Sequence, residues 1–88
     1  IHVKELTMGP AIETHDYNVK LNKARRFLEK GDKVKLTIRF RGREIVHKER
    51  GKEILDRFVV DLEELAILEK PASLEGRRMT LVLTPIKK

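Results

Sequence analysis

The segment from residue 33 to residue 43, KVKLTIRFRGR, alternates almost without fault between apolar and mostly basic side chains. Successive side chains of a β-strand point to opposite faces of its sheet, so a strand here carries two distinct rows. The apolar row consists of Val34, Leu36, Ile38 and Phe40. The opposite row consists of Lys33, Lys35, Thr37, Arg39 and Arg41, and Arg43 follows shortly after. Because no Asp or Glu interrupts the segment, we predict a core-facing strand whose outer face binds a polyanion, most commonly nucleic acid.

The length, the net charge and the absence of cysteine limit the number of domains, the kind of partner and the cellular compartment. A chain of 88 residues with 40% hydrophobic residues supports one domain, over residues 1–88, with a modest core. The net charge of +6 favours an anionic partner, and the absence of cysteine excludes disulfides and fits the reducing cytoplasm. No apolar run approaches the roughly 18 residues of a membrane span. We expect a cytoplasmic monomer without a membrane partner, and we interpret the start at Ile1 as that of a piece of a longer protein or a processed form.

Hydrophobic periodicity and turn residues predict six elements in the order β-α-β-α-β-β. Strands are predicted over about residues 1–8, 33–40, 65–69 and 78–84, and helices over about residues 14–30 and 44–62. In the first strand, Ile1 and Val3 share one face whereas Leu6 and Met8 share the other, which a bulge or burial on both faces would explain.

Single residues mark the ends and weak points of these elements. Thr14 and Asp16 are candidate N-caps of the first helix, and Gly31 stands where a C′ residue is expected. Gly51 costs about 1 kcal/mol relative to Ala inside the second helix, so we expect it to pack closely against a neighbour. Pro71 indicates a loop over about residues 70–76.

These elements predict an α/β (α+β) two-layer sandwich. Strand–helix–strand units favour parallel pairing, whereas the short connection between the last two strands favours an antiparallel hairpin. A mixed four-stranded sheet with both helices on one face follows, and its free face would carry the basic row.

Arginines form the strongest candidate site, because their planar forks suit bidentate phosphate contacts. They are Arg39, Arg41 and Arg43 around the end of the second strand, Arg57 on the second helix, and Arg77 and Arg78 before the last strand. The alternative is a solvated surface with local helix pairs such as Arg25–Glu29 and Glu53–Arg57. Phosphate binding is favoured at the second strand, because that stretch has no acidic partner.

The aromatic residues indicate how nucleic acid would be bound. Phe27, Phe40 and Phe58 lie on or beside apolar stripes, and the ring of Tyr17 is expected to pack at the start of the first helix. A sheet that stacks bases needs aromatics on its exposed face. We therefore predict recognition of structured RNA or DNA by shape and phosphate placement.

Catalytic and metal-binding patterns are poor. The three histidines, His2, His15 and His47, lie in different elements, and His47 is expected to pack at the edge of the second helix. The chain lacks a phosphate-cradling Gly-rich loop, an HExxH motif and a nucleophile elbow. We expect a non-enzymatic protein without a cofactor or metal.

Taken together, the segments HDYNVKLNKARRFLEKGDKVKLTIRFRGREIVHKERGKEILDRF, EGRRM and LVLTPIKK closely resemble the C-terminal domain of bacterial translation initiation factor three. The likeness covers essentially the whole chain. It implies the same two-layer fold, at the C-terminal end of a longer protein. It also implies binding to the small ribosomal subunit through its rRNA, hindrance of large-subunit joining, and support for initiator tRNA on the start codon of an mRNA.

The resemblance also implies which residues contact RNA. These are Tyr17 and Lys20 in DYNVKL, Arg26 in the same helix, Arg39, Arg41 and Arg43 in RFRGRE, Arg57 in ILDR, and Arg77 in EGRRM. The chain departs from the family pattern at Asn22, where many members are basic, at Arg50, which replaces a usually apolar residue, and at Gly9, where some members are basic. Two other functions stay open. One is another small α/β module that binds structured RNA in ribosome assembly or RNA processing, and the other is a nuclease.

Overall fold

The computed structural model describes residues 2–86 and confirms the α+β architecture. The elements are β1 (Val3–Met8), α1 (Thr14–Glu29), β2 (Lys33–Arg39), a 3₁₀ helix (Gly42–His47), α2 (Lys48–Asp61), β3 (Ala66–Glu75) and β4 (Arg78–Pro85). The four strands form one sheet in the order β1-β2-β4-β3. β1 and β2 are parallel, and β3 and β4 form the predicted antiparallel hairpin. β4 lies between β2 and β3 and is antiparallel to β2, so the parallel pairing expected for the second strand–helix–strand unit is wrong. Ile1, in the predicted first strand, and the terminal Lys87 and Lys88 lie outside the described residues.

The core lies between one face of the sheet and the two helices. The sheet contributes the buried residues Leu6, Met8, Val34, Leu36, Ile38, Met79, Leu81 and Leu83. The helices contribute Tyr17, Ala24, Leu28, Ile54, Leu55 and Phe58. The apolar row predicted for β2 is thus confirmed, because Val34, Leu36 and Ile38 are all buried. The opposite face of the sheet is not covered by a helix of the described chain.

In β1, the change of phase needs neither a bulge nor burial on both faces. Leu6 and Met8 are buried, whereas Val3 is 56% exposed on the open face. The register with β2 runs unbroken from Val3 opposite Lys33 to Met8 opposite Ile38. Both explanations offered from the sequence are therefore wrong for the described part of this strand.

Helix α1 has the predicted bounds to within one residue, but its N-cap is neither of the predicted residues. Glu13 is the N-cap and makes no side-chain cap hydrogen bond, so Thr14 and Asp16 lie inside the first turn. Asp16 there is favourable to the positive end of the helix dipole. At the other end, Gly31 has a φ of 91° and donates its N–H to the Leu28 carbonyl at 3.0 Å, which confirms its role as the C′ residue.

The second helix is divided, which the sequence did not predict. Residues 42–47 form a 3₁₀ helix, and the α-helix begins only at Lys48. The apolar stripe is too weak there to hold an α-helical turn on the core, since Ile45 is half-buried and Val46 is 73% exposed. His47 is exposed, so its predicted packing role is wrong.

The close approach predicted at Gly51 is confirmed. A Cβ atom at this position would lie 2.6 Å from Phe40 Cζ and 3.2 Å from Ile38 Cγ2. Phe40 is 2% exposed, so its ring has little freedom to move aside. Gly51 therefore lets α2 lie directly on the end of β2.

We expect Gly51→Ala to lower the free energy of unfolding by about 1 kcal/mol. Overpacking costs about 2 kcal/mol and exceeds the gain of about 1 kcal/mol in helix propensity. Urea denaturation measures the change, and the control is the same substitution in a Phe40→Leu background. If Gly51→Ala costs as much in that background, the contact with the ring is not the cause.

The largest difference from the sequence prediction is in β3. The predicted strand of residues 65–69 and the loop of residues 70–76 are mostly one ten-residue strand, Ala66–Glu75. Its register against β4 shifts between Leu68 and Lys70 and again between Lys70 and Ser73. Pro71 is tolerated because β3 is an edge strand, where a residue without an N–H can sit at an irregularity.

Candidate nucleic-acid interface

The open face of the sheet is less cationic than the sequence predicts, because neighbouring strands bring carboxylates to it. Lys33 Nζ lies 2.6 Å from Glu69 Oε1, and Lys35 Nζ lies 3.9 Å from Glu5 Oε2. Thr37 is only 2% exposed and donates its hydroxyl hydrogen to Glu5 Oε2 at 2.9 Å. The prediction that β2 has no acidic partner is therefore wrong for its first half.

Positive charge without an ion pair is concentrated at the far end of this face. Arg39 lies directly opposite Arg78 in the β2–β4 register. Like charges at such positions destabilise a sheet. Among the described residues neither arginine has a carboxylate within 4.0 Å, although Glu75 is opposite Arg78 on the other side. Four arginines line one shallow depression here, and we call Arg39, Arg41, Arg77 and Arg78 the arginine rim.

Backbone contacts fix the two halves of the arginine rim against each other. The Phe40 N–H donates to the Arg77 carbonyl at 2.8 Å, which ties the end of β2 to the β3–β4 turn. Gly76 has a φ of 60° at the first central position of this two-residue turn, and no described non-glycine residue has a positive φ. This combination is typical of a type II′ hairpin, which needs glycine at that position.

Glu44 holds the loop that carries Arg41 and Arg43, a role that was not predicted from the sequence. Its carboxylate accepts the Arg41 N–H at 2.8 Å, and its own N–H donates to the Arg41 carbonyl at 2.9 Å. The side chains of Arg41 and Arg43 are exposed. The spacing of three residues between an N-cap and a Glu is the signal that could have revealed this contact.

Lys20 adjoins the arginine rim, but Arg26 does not. A depression beside the end of β1 is lined by Lys20, Gly9 and Glu44, and the next one is lined by Gly9, Glu44, Arg39 and Arg41. The two depressions are therefore continuous. Arg26 is exposed six residues beyond Lys20, about 9 Å along the helix axis, and lines none of these depressions.

Tyr17 lies in the core and not on the surface. Its side chain is 3% exposed, and its ring centroid lies 4.6 Å from that of Phe58. Its hydroxyl donates to Asp61 Oδ2 at 2.5 Å. The exposed Arg57 places its guanidinium 4.4 Å from the centre of the Tyr17 ring. The structure thus separates two residues that the resemblance groups together: Arg57 is exposed, whereas Tyr17 is buried and supports it from below.

Burial raises the pKa of Tyr17 well above its ordinary value, and the hydrogen bond and negative charge of Asp61 raise it further, against the opposing effect of Arg57. The folded protein therefore holds the phenol proton more tightly than the unfolded chain does. The resulting stabilisation is complete below the unfolded pKa of 10.0 and is lost as the pH rises above it.

We accordingly expect the free energy of unfolding to fall above about pH 10 more steeply in the wild type than in Tyr17→Phe. Urea denaturation between about pH 8 and pH 11 measures both proteins. A difference between the two proteins that stays constant over this range would contradict the assignment.

Other predicted charge contacts are not formed. Arg25–Glu29 and Glu53–Arg57 are not ion pairs within 4.0 Å, and the two ion pairs found in residues 2–86 both lie on the sheet. Within that same range no three His, Cys, Asp or Glu side chains are grouped so that they could hold a metal ion. No helix of the described chain is both long and apolar enough to cross a membrane.

Comparison with known proteins assigns the family. The family model described as "Translation initiation factor IF-3, C-terminal domain" matches residues 1–86. Translation initiation factor IF-3 of Clostridium perfringens is 54% identical over 87 residues, which are 99% of this chain and 49% of that protein. The same factor of Nitratidesulfovibrio vulgaris is 52% identical over 88 residues, 100% of this chain and 50% of the relative. The factor of Brucella melitensis is 52% identical over 85 residues, 97% of this chain and 48% of the relative.

The chain therefore spans about half the length of these relatives. Their shared name is that of a translation factor and not of an enzyme, which confirms the prediction of a non-enzymatic protein. The match extends over both helices and all four strands, and it includes the four residues of the arginine rim. The chain belongs to the family of the C-terminal domain of translation initiation factor IF-3.

Proposed function

We propose that this domain binds the small ribosomal subunit through structured rRNA, as the C-terminal part of a longer cytoplasmic protein. The contact surface consists of the arginine rim together with Lys20, Arg43 and Arg57. Arg26 and Arg57 line none of the depressions at the arginine rim, so each would make a contact separate from it. Tyr17 takes part only by supporting Arg57.

The observation that carries the proposal is the cluster of positive charge in the arginine rim, whose depression is lined by four arginines and one acidic residue, Glu75. Arg39 and Arg78 are directly opposite each other on the neighbouring strands β2 and β4, and among the described residues neither forms an ion pair within 4.0 Å. An arrangement that destabilises the isolated sheet becomes favourable when phosphates lie between or beside the guanidinium groups. Lys33 and Lys35, which are paired with Glu69 and Glu5, contribute less.

The rings support recognition of RNA by shape. Tyr17, Phe40 and Phe58 are buried and Phe27 is half-buried, so the described surface offers no aromatic platform for bases. Phosphate contacts then fix the position of the domain, while folded rRNA supplies the specificity through the spacing of its phosphates.

A domain that binds rRNA in this way can act simply by occupying its site on the small subunit. A domain seated on rRNA where the large subunit docks shifts the equilibrium away from subunit joining in proportion to its concentration. We infer that the domain acts in this way as a monomer, and that the complete protein thereby favours initiator tRNA on the start codon of an mRNA.

Light scattering of purified small and large ribosomal subunits tests the proposal. We expect added domain to reduce subunit association, with an effect that saturates and weakens as salt concentration rises. The Arg39→Ala/Arg77→Ala protein is the control at equal concentration. Unchanged association at a concentration that saturates the small subunit would refute occlusion by this domain.

A further inference from the structure

We infer that the Tyr17 hydroxyl keeps the Asp61 carboxylate away from Arg57, so that the Arg57 guanidinium stays available to an RNA phosphate. The inference rests on the proposed function and adds Asp61 and the buried hydroxyl to it as positioning groups. A search for positive charge on the surface would find neither group, because Tyr17 is buried and uncharged and Asp61 is acidic.

The spacing on α2 makes the absence of an ion pair informative. Arg57 and Asp61 are four residues apart, and side chains at this spacing are neighbours that commonly pair on a helix. Among the described residues they do not lie within 4.0 Å of each other. Asp61 Oδ2 instead accepts the hydroxyl hydrogen of Tyr17, a residue 44 positions away in the sequence.

The ring of the same tyrosine holds Arg57 without neutralising it. The guanidinium lies 4.4 Å from the ring centre, and the ring also packs against Phe58, at 4.6 Å between centroids. A cation over an aromatic face is attracted by the ring while its N–H groups at the edge remain free to donate. The hydroxyl of Tyr17 thus binds the Asp61 carboxylate, while the face of its ring supports the Arg57 guanidinium.

Glu53 is the other acidic residue at helical spacing from Arg57, and it too lies outside ion-pair distance in the described structure. The Tyr17 hydroxyl does not hold Glu53, because the two side chains share no hydrogen bond among the described residues. Removing the hydroxyl should therefore release Asp61 selectively.

The test is a set of variants measured for binding to the purified small subunit at low salt. We expect Tyr17→Phe, which keeps the ring, to weaken binding about two- to threefold. This range corresponds to the strength of an exposed helical ion pair, here Arg57–Asp61, that would compete with the phosphate for Arg57. Asp61→Asn should strengthen binding more in the Tyr17→Phe background than in the wild type. The exposed Asp56 is the matched control on the same helix, and Asp56→Asn should have the same effect in both backgrounds.

Thermal unfolding confirms that each variant is folded before binding is compared. Wild-type affinity in Tyr17→Phe, or equal rescue by Asp61→Asn and Asp56→Asn, would overturn the inference and leave the proposed function standing. A wild-type domain that does not bind the small subunit would overturn the proposed function instead. The crystal structure of Tyr17→Phe then decides the inference alone, since Asp61 must move within 4 Å of Arg57 for it to hold.

Discussion

Replacing Arg39 and Arg77 together by alanine is expected to weaken binding to the small ribosomal subunit about 100-fold. Each removes a charge-assisted hydrogen bond to phosphate worth about 1.5 kcal/mol, and the two together amount to about 3 kcal/mol. The slope of the logarithm of affinity against the logarithm of salt concentration should fall by about 1.5 to 2, because two fewer counterions are released. Both side chains are exposed, so the free energy of unfolding should change by less than about 0.5 kcal/mol for each substitution.

The matched control is Lys33→Ala/Lys35→Ala, which removes the same charge from the same sheet. These lysines lie beside Glu69 and Glu5, so their loss should weaken binding only a few-fold. Equal losses in the two double variants would mean that net charge, and not the arginine rim, determines the affinity. Binding curves over a series of salt concentrations separate the two results.

Phe58→Ala is expected to lower the free energy of unfolding by about 3–5 kcal/mol. The side chain is fully buried, and it packs against the Tyr17 ring that carries Arg57. For a chain of this length the total stability is on the order of 4–13 kcal/mol, so this substitution removes a large part of it. Urea denaturation at neutral pH measures the change.

Val60→Ala is the control on the same helix. Val60 is 62% exposed, so the loss of its two methyl groups should change the free energy of unfolding by less than about 0.5 kcal/mol. A similar loss in both variants would contradict the assignment to burial, since Ala favours a helix more than Val or Phe does and helix propensity cannot cause the loss.

Local patterns were enough to predict most of the fold. The apolar row of β2 needs only a period of two residues, and the C′ role of Gly31 needs only the conformational freedom of glycine after a helix. The division of the second helix and the length of β3 were not predictable in this way. Pro71 is a turn signal locally, but its place on an edge strand lets the chain remain extended there.

The sequence by itself determined the order of the elements, the core-facing rows, the arginines of the rim and the family. Only the tertiary structure decided which charges are compensated. Glu69 reaches Lys33 across 36 residues, and Asp61 reaches Tyr17 across 44. Such contacts depend on strand order, register and helix placement, which no local period encodes. Lys33 and Arg39 therefore look alike in the sequence, as two basic residues on the same face of one strand. The fold places the carboxylate of Glu69 beside Lys33 and sets Arg39 opposite another arginine.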